Sequence, residues 1–112
     1  MLADDRIRLR HMVDAARTAQ DFVAGRTRAE LDTNRMLLFA VVRAIEVIGE
    51  AAARMSPEGR AALPDLPWPA IIGMRNRIVH AYFDIDHEVV WQTVVGELPG
   101  LVQVLEAALA SE

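Results

Sequence analysis

Apolar residues recur every three or four positions along most of the chain, which is the spacing of amphipathic helices. The first such segment covers residues 4–24, and Gly25 supplies a stop signal after it. The second covers residues 31–55 and is apolar over most of its circumference, so we expect it to be the most buried helix. Because Gly49 in its middle costs about 1 kcal/mol relative to alanine, we expect another stretch of backbone close by.

Capping residues and prolines predict the next two helices. Ser56 followed by Pro57 fits an N-cap with proline at the first helical position, and predicts a short helix that ends before Pro64. A proline-rich connector follows, and Pro69 can begin the next helix, which we expect to continue over residues 69–82.

The last predicted helix covers residues 87–110, with Asp86 as its cap. Proline lacks an N–H and clashes with the preceding turn, so Pro99 should kink or break this helix near Leu98. No strand-like alternation and no hairpin signal is found. The pattern therefore predicts an all-α fold, an antiparallel up-and-down helical bundle of four long helices and one short helix.

Composition agrees with a single folded domain over residues 1–112. Hydrophobic residues make up 53% of the chain and charged residues 25%, a balance typical of soluble globular proteins. The N-terminal segment carries charges from its fourth residue, so we expect neither a signal peptide nor a membrane anchor. The chain has no cysteine, which excludes disulfides and cysteine nucleophiles and suits a cytoplasmic location.

The net charge of −4 argues against a protein that coats nucleic acid non-specifically, since that mode neutralises many phosphates. Residues 1–55 contain nine arginines and eight acidic residues, whereas residues 56–112 contain three arginines and eight acidic residues. An RNA would therefore meet local arginines and no general positive field.

The segment MRNRIVHAYFDID, residues 74–86, concentrates the polar chemistry of the chain. On an ideal helix with about 100° per residue, one narrow stripe would face the core and consists of Ile71, Met74, Ile78, Ala81 and Ile85. Asn76 and His80 would lie roughly opposite this stripe, and Ile72 and Val79 would lie between the two faces. Such a mixed second face suits a subunit interface, so we expect a homodimer.

Arg75 and His80 would be separated by about 140° on an ideal helix. Within one chain they converge only if the long arginine wraps round or the helix distorts. A second copy of the chain could instead bring them together. Tyr82, seven residues after Arg75, would line up with it along the edge of this surface.

Histidine and arginine together can cleave RNA without a metal ion. The unperturbed histidine pKa near 6.5 lets His80 activate a ribose 2′-hydroxyl, and Arg75 can hold the charge that grows on the phosphate. The product would be a 2′,3′-cyclic phosphate. In the alternative reading, Arg75 and Arg77 pair with nearby carboxylates and His80 only fills an interface.

Other polar residues offer weaker candidates. Glu46 and Glu50 could pass for paired catalytic carboxylates, but Arg43 and Arg54 lie at spacings that favour ordinary ion pairs within the helix. Glu46 could also orient Arg75 or Arg77 from the neighbouring helix. His11 and His87 have no carboxylates at metal-ligand spacing, and the chain has no glycine-rich phosphate loop. We therefore expect no metal site and no cofactor.

Four segments carry a close resemblance to HepT-like proteins of the HEPN superfamily, the toxin halves of the HepT/MntA toxin–antitoxin systems. They are DDRIRLRHMVDAA, AIEVIGEAA, LPWPAIIGMRNRIVHAYFDID and VVWQTVVGELP. The resemblance covers essentially the whole chain in order. Its most specific part is the motif R-x-x-x-x-H-x-Y, formed here by Arg75, His80 and Tyr82, with Asn76 after the arginine as is usual in that superfamily.

The resemblance implies an all-helical homodimer with a metal-independent ribonuclease site near the dimer interface. Arg75 and His80 would be catalytic, and we expect Asn76, Arg77 and Glu46 to support them. The resemblance also implies a partner nucleotidyltransferase, the antitoxin of a type VII system, that silences the toxin by adding AMP to Tyr82. The alternative is a non-catalytic module that uses the same polar face to hold a nucleotidyltransferase or a nucleotide.

Overall fold

The computed structural model describes residues 1–81 and 84–111, and most of this part of the chain is helical. In chain order the elements are α1 Ala3–Val23, α2 Glu30–Thr33, α3 Arg35–Ala53, α4 Pro57–Ala61, α5 Trp68–Ile72, α6 Met74–Ile78, β1 Val79–Ala81, β2 Asp84–Ile85, α7 His87–Gln92, a π-helical turn Thr93–Glu97 and α8 Leu98–Ala110.

Helices α1 and α3 pack along one another, and α8 packs against α1. Their facing sides form the centre of the core, where the fully buried side chains include Leu9, Met12, Ile45, Ile48, Leu98 and Leu105. Helix α1 ends as predicted, because Gly25 adopts a φ of 73° that favours glycine.

The second predicted helix is confirmed over most of its length but does not begin as expected. Asn34 separates α2 from α3 in an extended conformation, and its side chain accepts a hydrogen bond from the Leu37 N–H at 3.0 Å. Asparagine thus caps α3 and interrupts the apolar pattern that predicted one continuous helix. Ten of the nineteen residues of α3 are buried, more than in any other helix of the described chain, as its composition predicted.

The close approach predicted at Gly49 is present. A Cβ atom at this position would lie 3.1 Å from the carbonyl oxygen of Ile72 and 3.4 Å from that of Ile71. The missing side chain therefore lets the end of α5 rest directly on α3, and this contact places the segment that follows α5.

The two predicted caps are also confirmed. The Ser56 side chain accepts a hydrogen bond from the Gly59 N–H at 2.9 Å, with Pro57 as the first residue of α4. The Asp86 side chain accepts one from the Val89 N–H at 3.0 Å at the start of α7. Both short polar side chains satisfy amides that the first helical turn leaves unpaired.

The predicted helix over residues 69–82 is wrong. Helix α5 ends before Gly73, α6 ends at Ile78, and the chain then enters β1, which pairs antiparallel with β2. The Ile78 carbonyl accepts a hydrogen bond from the Asp86 N–H at 2.7 Å, so strand pairing uses the group that a longer helix would need. Two short helices and a pair of short strands thus stand where one long helix was predicted, and no sequence signal indicated the strands.

The predicted core stripe is confirmed only where the chain is helical. Ile71, Met74 and Ile78 are buried, as expected. Ala81 is exposed and Ile85 is half-buried, because both lie on strands and no longer follow the helical repeat.

Among the described residues, the long helical segments are α1, α3 and the segment from α7 through α8. In the last of these, a π-helical turn directly precedes α8, whose second residue is Pro99. The wider turn replaces the predicted break, since it accommodates a residue without an N–H.

By length and composition the helix His87–Ala110 could cross a membrane, and 28% of its apolar 18-residue window is buried in the structure. A single such helix is weak support for a membrane location.

Candidate active site

The motif residues lie on α6 and β1, at one side of α3. Arg75, Asn76 and Arg77 come from the single turn of α6, and His80 from β1. All four side chains are exposed, whereas their neighbours Met74 and Ile78 are buried and hold α6 against the core. Because Met74 and Ile78 lie one helical turn apart on the buried side, the residues between them are presented on the surface.

Arg75 is held by Glu46 of α3. Its Nε atom lies 3.6 Å from the Glu46 Oε2 atom, so the structure places Glu46 where the sequence analysis suggested. Arg43 lies 3.8 Å from Glu46 and 3.1 Å from Glu50. Both carboxylates therefore take part in ion pairs, although Arg43 and not Arg54 is the partner of Glu50.

The Arg75 guanidinium contacts Glu46 with its Nε edge. Within residues 1–81 and 84–111, its terminal Nη atoms have no hydrogen-bond or ion-pair partner. Those two nitrogens are the pair that matches phosphate oxygens in a bidentate contact. Glu46 thus orients the side chain through its Nε edge and does not occupy the Nη pair.

Arg77 points toward the π-helical turn Thr93–Glu97 and not toward Glu46. Its Nη2 atom lies 3.4 Å from the Glu97 Oε1 atom in the π-helical turn. Arg75 and Arg77 are therefore both paired with carboxylates, as the alternative reading expected. The backbone N–H of Asn76 donates to the Gly73 carbonyl at 3.0 Å, which joins α6 to the preceding turn.

His80 is the extra residue of a β-bulge. Val79 pairs with Ile85 and Ala81 pairs with Asp84, so β1 has one residue more than β2 between these pairs. Bulges redirect side chains and are frequent beside functional sites. In the described part of the chain, the His80 ring has no hydrogen-bond or ion-pair partner.

The separation of about 140° expected for Arg75 and His80 on an ideal helix does not apply, because α6 ends between them. Both are exposed and lie five residues apart across the junction of α6 and β1. No hydrogen bond or ion pair among the described residues joins their side chains. Tyr82, the predicted modification site, lies outside the described residues.

A second charged network joins α2 to α7, and the sequence analysis did not predict it. The His87 Nδ1 atom lies 2.6 Å from the Asp32 Oδ1 atom, and Arg28 bonds to both Asp32 and Glu88, at 2.8 and 2.9 Å. The hydrogen bond from His87, followed by that from Arg28, lowers the pKa of Asp32. Asp32 and His87 are 55 residues apart in sequence, and Arg28 and Glu88 are 60 apart, so no local spacing reveals these two contacts.

A buried acid was also missed. Asp5 is only 2% exposed and accepts hydrogen bonds from the Ser56 hydroxyl at 2.6 Å and the Ser56 N–H at 2.9 Å. These hydrogen bonds lower the pKa of Asp5.

Among the described residues no group of three or more histidines and acids could hold a metal ion.

Comparison with known proteins places this chain in a family. Residues 12–108 match the family model described as "Ribonuclease HepT-like". The "Putative RNase MJ1380" of Methanocaldococcus jannaschii is 32% identical over 95 residues, 85% of this chain and 87% of that protein. The "Putative RNase TTE0752" of Caldanaerobacter subterraneus subsp. tengcongensis is 30% identical over 104 residues, 93% of each chain.

The "Probable ribonuclease HepT" of Thermococcus cleftensis is 41% identical over 63 residues, 56% of this chain and 57% of that protein. No solved structure matches this chain. The family model covers most of the chain, including the whole of α6 and the β-hairpin, and confirms the resemblance found in the sequence. This chain belongs to the HepT-like ribonuclease family.

Proposed function

We propose that this protein is a cytoplasmic, metal-independent endoribonuclease and the toxin of a type VII toxin–antitoxin system. Membership of the HepT-like ribonuclease family and relatives named as RNases support RNA as the substrate. The observation that carries the proposal is the exposed pair of His80 and Arg75, whose ring and Nη atoms have no partner within residues 1–81 and 84–111, with Arg75 oriented by its ion pair with Glu46.

In this mechanism a ring nitrogen of His80 accepts the proton of a ribose 2′-hydroxyl. The 2′-oxygen forms a bond to phosphorus while the bond from phosphorus to the 5′-oxygen breaks. The proton held by the imidazolium then passes to the departing 5′-oxygen, so the products are a 2′,3′-cyclic phosphate and a 5′-hydroxyl. Arg75 stabilises the charge on the non-bridging oxygens in the transition state.

The chain acts as a homodimer in this proposal. Half-buried Ile72 and Val79 flank the exposed polar residues, so the surface mixes apolar and polar groups as subunit interfaces do. A partner nucleotidyltransferase serves as the antitoxin and adds AMP to Tyr82. The added phosphate and nucleoside, two residues from His80, would exclude RNA by charge and by bulk.

The test is cleavage of RNA by the purified protein in excess EDTA. We expect wild type to produce cyclic-phosphate ends and His80→Ala to lose cleavage by at least about 100-fold, the usual contribution of a general acid–base group. His11→Ala, which removes an exposed histidine from α1, is the matched control and should cleave like wild type.

Thermal melting separates chemistry from folding. His80→Ala and Arg75→Ala should melt close to wild type because both side chains are exposed, whereas Ile78→Asp should unfold, since Ile78 is 1% exposed. Equal losses of stability in all three variants would make the pair structural and remove the catalytic assignment.

A non-catalytic binding module is the second candidate, and the ion pairs of Arg75 with Glu46 and of Arg77 with Glu97 favour it. In that case the same face would hold a nucleotidyltransferase or a nucleotide. Well-folded wild type that leaves RNA intact in the EDTA experiment would select this candidate.

A further inference from the structure

A groove of about 760 Å³ lies between α2 and α3 on one side and β2 and the start of α7 on the other. Its wall on α3 includes Arg35 and Phe39, and its opposite wall includes Ile85 and His87. The lining therefore combines an aromatic ring, a guanidinium and an imidazole with apolar surface and one carboxylate, that of Asp32. The first three of these groups are the kinds that bind nucleotides of single strands.

Phe39 and Arg35 are placed for two different parts of a nucleotide. Phe39 is 55% exposed, an unusual position for a phenylalanine, so one ring face is open to stack on a base. Arg35 lies four residues earlier on the same face of α3. It is exposed and has no ion-pair or hydrogen-bond partner within the described ranges, so its charge is available for a phosphate.

His87 is held in one orientation at the opposite wall. Its Nδ1 atom bonds to the Asp32 carboxylate at 2.6 Å, and Arg28 fixes that carboxylate from the other side. The Nε2 atom therefore keeps a defined direction and remains without a partner in the described chain. Asp32 itself lines the groove, and its carboxylate is already engaged by an ion pair with Arg28 and by the hydrogen bond with the His87 Nδ1 atom.

The groove adjoins the motif histidine through the hairpin. Ile85, part of the groove wall, pairs directly with Val79, the residue before His80. Paired strands lie about 5 Å apart, so the groove and His80 lie next to each other on one small ladder. A strand of RNA with its reacting phosphate at His80 would reach the groove with a neighbouring nucleotide.

We propose that this groove is a subsite for single-stranded RNA that binds a nucleotide flanking the cleaved bond. Phe39 stacks on its base, Arg35 contacts its phosphate, and His87 donates or accepts a hydrogen bond from the opposite wall. The subsite rests on the proposed ribonuclease function for its orientation toward His80, whereas its affinity for RNA is measurable without cleavage.

The experiment measures binding of a fluorescein-labelled eight-nucleotide RNA to proteins that carry His80→Ala, so that the probe stays intact. We expect Phe39→Ala to weaken binding by about 5- to 100-fold, the effect of removing one base-stacking contact. Met36→Ala is the matched control, because Met36 is 84% exposed on the same helix and lines a different groove. It should bind like the parent protein.

Salt dependence distinguishes the two groove residues. Affinity for RNA falls as salt rises, so a plot of log affinity against log salt has a negative slope. Arg35→Gln should make this slope less steep by about 0.7, the value for one phosphate contact on a single strand. Phe39→Ala should leave that slope unchanged, since stacking involves no counterion release. In proteins with His80 intact, both variants should raise KM for the same RNA more than they lower kcat.

Equal RNA affinity for Phe39→Ala, Met36→Ala and the parent would overturn the subsite, even if wild type cleaves RNA and the proposed function stands. Binding that weakens as expected without any cleavage by wild type would overturn the ribonuclease and keep the subsite. A parent protein that fails to bind the RNA would overturn the subsite as well.

Discussion

At the scale of single residues, the orientation of Arg75 is the feature that most affects the proposed chemistry. Glu46 contacts the Nε edge of its guanidinium, and the terminal nitrogens have no partner among the residues that the structure describes. An exposed ion pair of this kind contributes little to stability. Its effect is to limit the positions that a long, flexible side chain adopts, so that in the proposed mechanism the guanidinium would meet the phosphate already oriented.

Tyr82 carries the first prediction at this scale. If the partner nucleotidyltransferase acts on it, incubation with ATP and magnesium should add one or more AMP units to wild type and abolish RNA cleavage. The Tyr82→Phe protein lacks the phenol oxygen, so it should keep much of its activity and escape silencing. Intact mass measures the modification. AMP still added to Tyr82→Phe, or modified wild type that still cleaves, would show this role of the tyrosine to be wrong.

Asp5 carries the second prediction. Hydrogen bonds from Ser56 lower its pKa below the ordinary value of 3.8 in the folded state. The charged carboxylate therefore stabilises the fold at pH values above 3.8, and this contribution is lost as the pH falls through the lower, folded-state pKa. Asp5→Asn should cost about 2 kcal/mol at pH 7, the scale of hydrogen bonds to a charged group.

Urea unfolding at several pH values measures this effect. The difference between wild type and Asp5→Asn should be largest near neutral pH and should shrink below pH 3.8. Asp4→Asn, a change at the exposed neighbouring acid, is the control and should have a small effect. A difference that stays constant down to strongly acidic pH would show that the charge of Asp5 does not stabilise the fold.

At the scale of elements, the junction of α3 and α5 determines where the motif lies. Gly49 lets the carbonyl of Ile72 approach α3, and α6 follows directly after Gly73. Gly49→Ala should therefore lower the melting temperature, since its Cβ would press on the Ile72 carbonyl. The matched change is Gly100→Ala in α8, where a Cβ meets no atom within 4 Å.

Gly100→Ala should raise the melting temperature by a few degrees, because alanine is favoured over glycine in a helix by about 1 kcal/mol. Differential scanning calorimetry compares the two variants. If both raise the melting temperature equally, the contact between α3 and α5 is not tight enough to position the motif.

At the scale of the whole molecule, the prediction concerns assembly. A dimer was predicted partly because one long helix would keep Arg75 and His80 apart. That long helix does not form, since α6 ends at Ile78. The mixed surface around Arg75 and His80 still favours a two-fold homodimer with the motif segments near the axis. Light scattering at micromolar concentration should give twice the monomer mass of 12.4 kDa. A stable monomer would leave each chain to form its site alone.

Much of the fold could be predicted from local sequence. The caps Ser56 and Asp86, the stop at Gly25 and the close approach at Gly49 all follow from chemistry within a few residues. The same holds for the buried positions of Ile71, Met74 and Ile78, because they follow the helical repeat. Four segments along the chain, with the motif from Arg75 to Tyr82 as their most specific part, indicated the family that the comparison confirms, whereas the catalytic roles of the motif residues stay predictions.

Only the tertiary structure decided the rest. Helix α6 ends at Ile78 because the Ile78 carbonyl bonds to the Asp86 N–H eight residues later, and this pairing turns His80 into a bulge residue. The choice of Glu46 as the partner of Arg75 depends on how α6 packs against α3. The links from Asp32 to His87 and from Asp5 to Ser56 join residues more than 50 positions apart. Helical periodicity and capping report interactions over about four residues, so contacts that form only when distant elements pack leave no such pattern in the sequence.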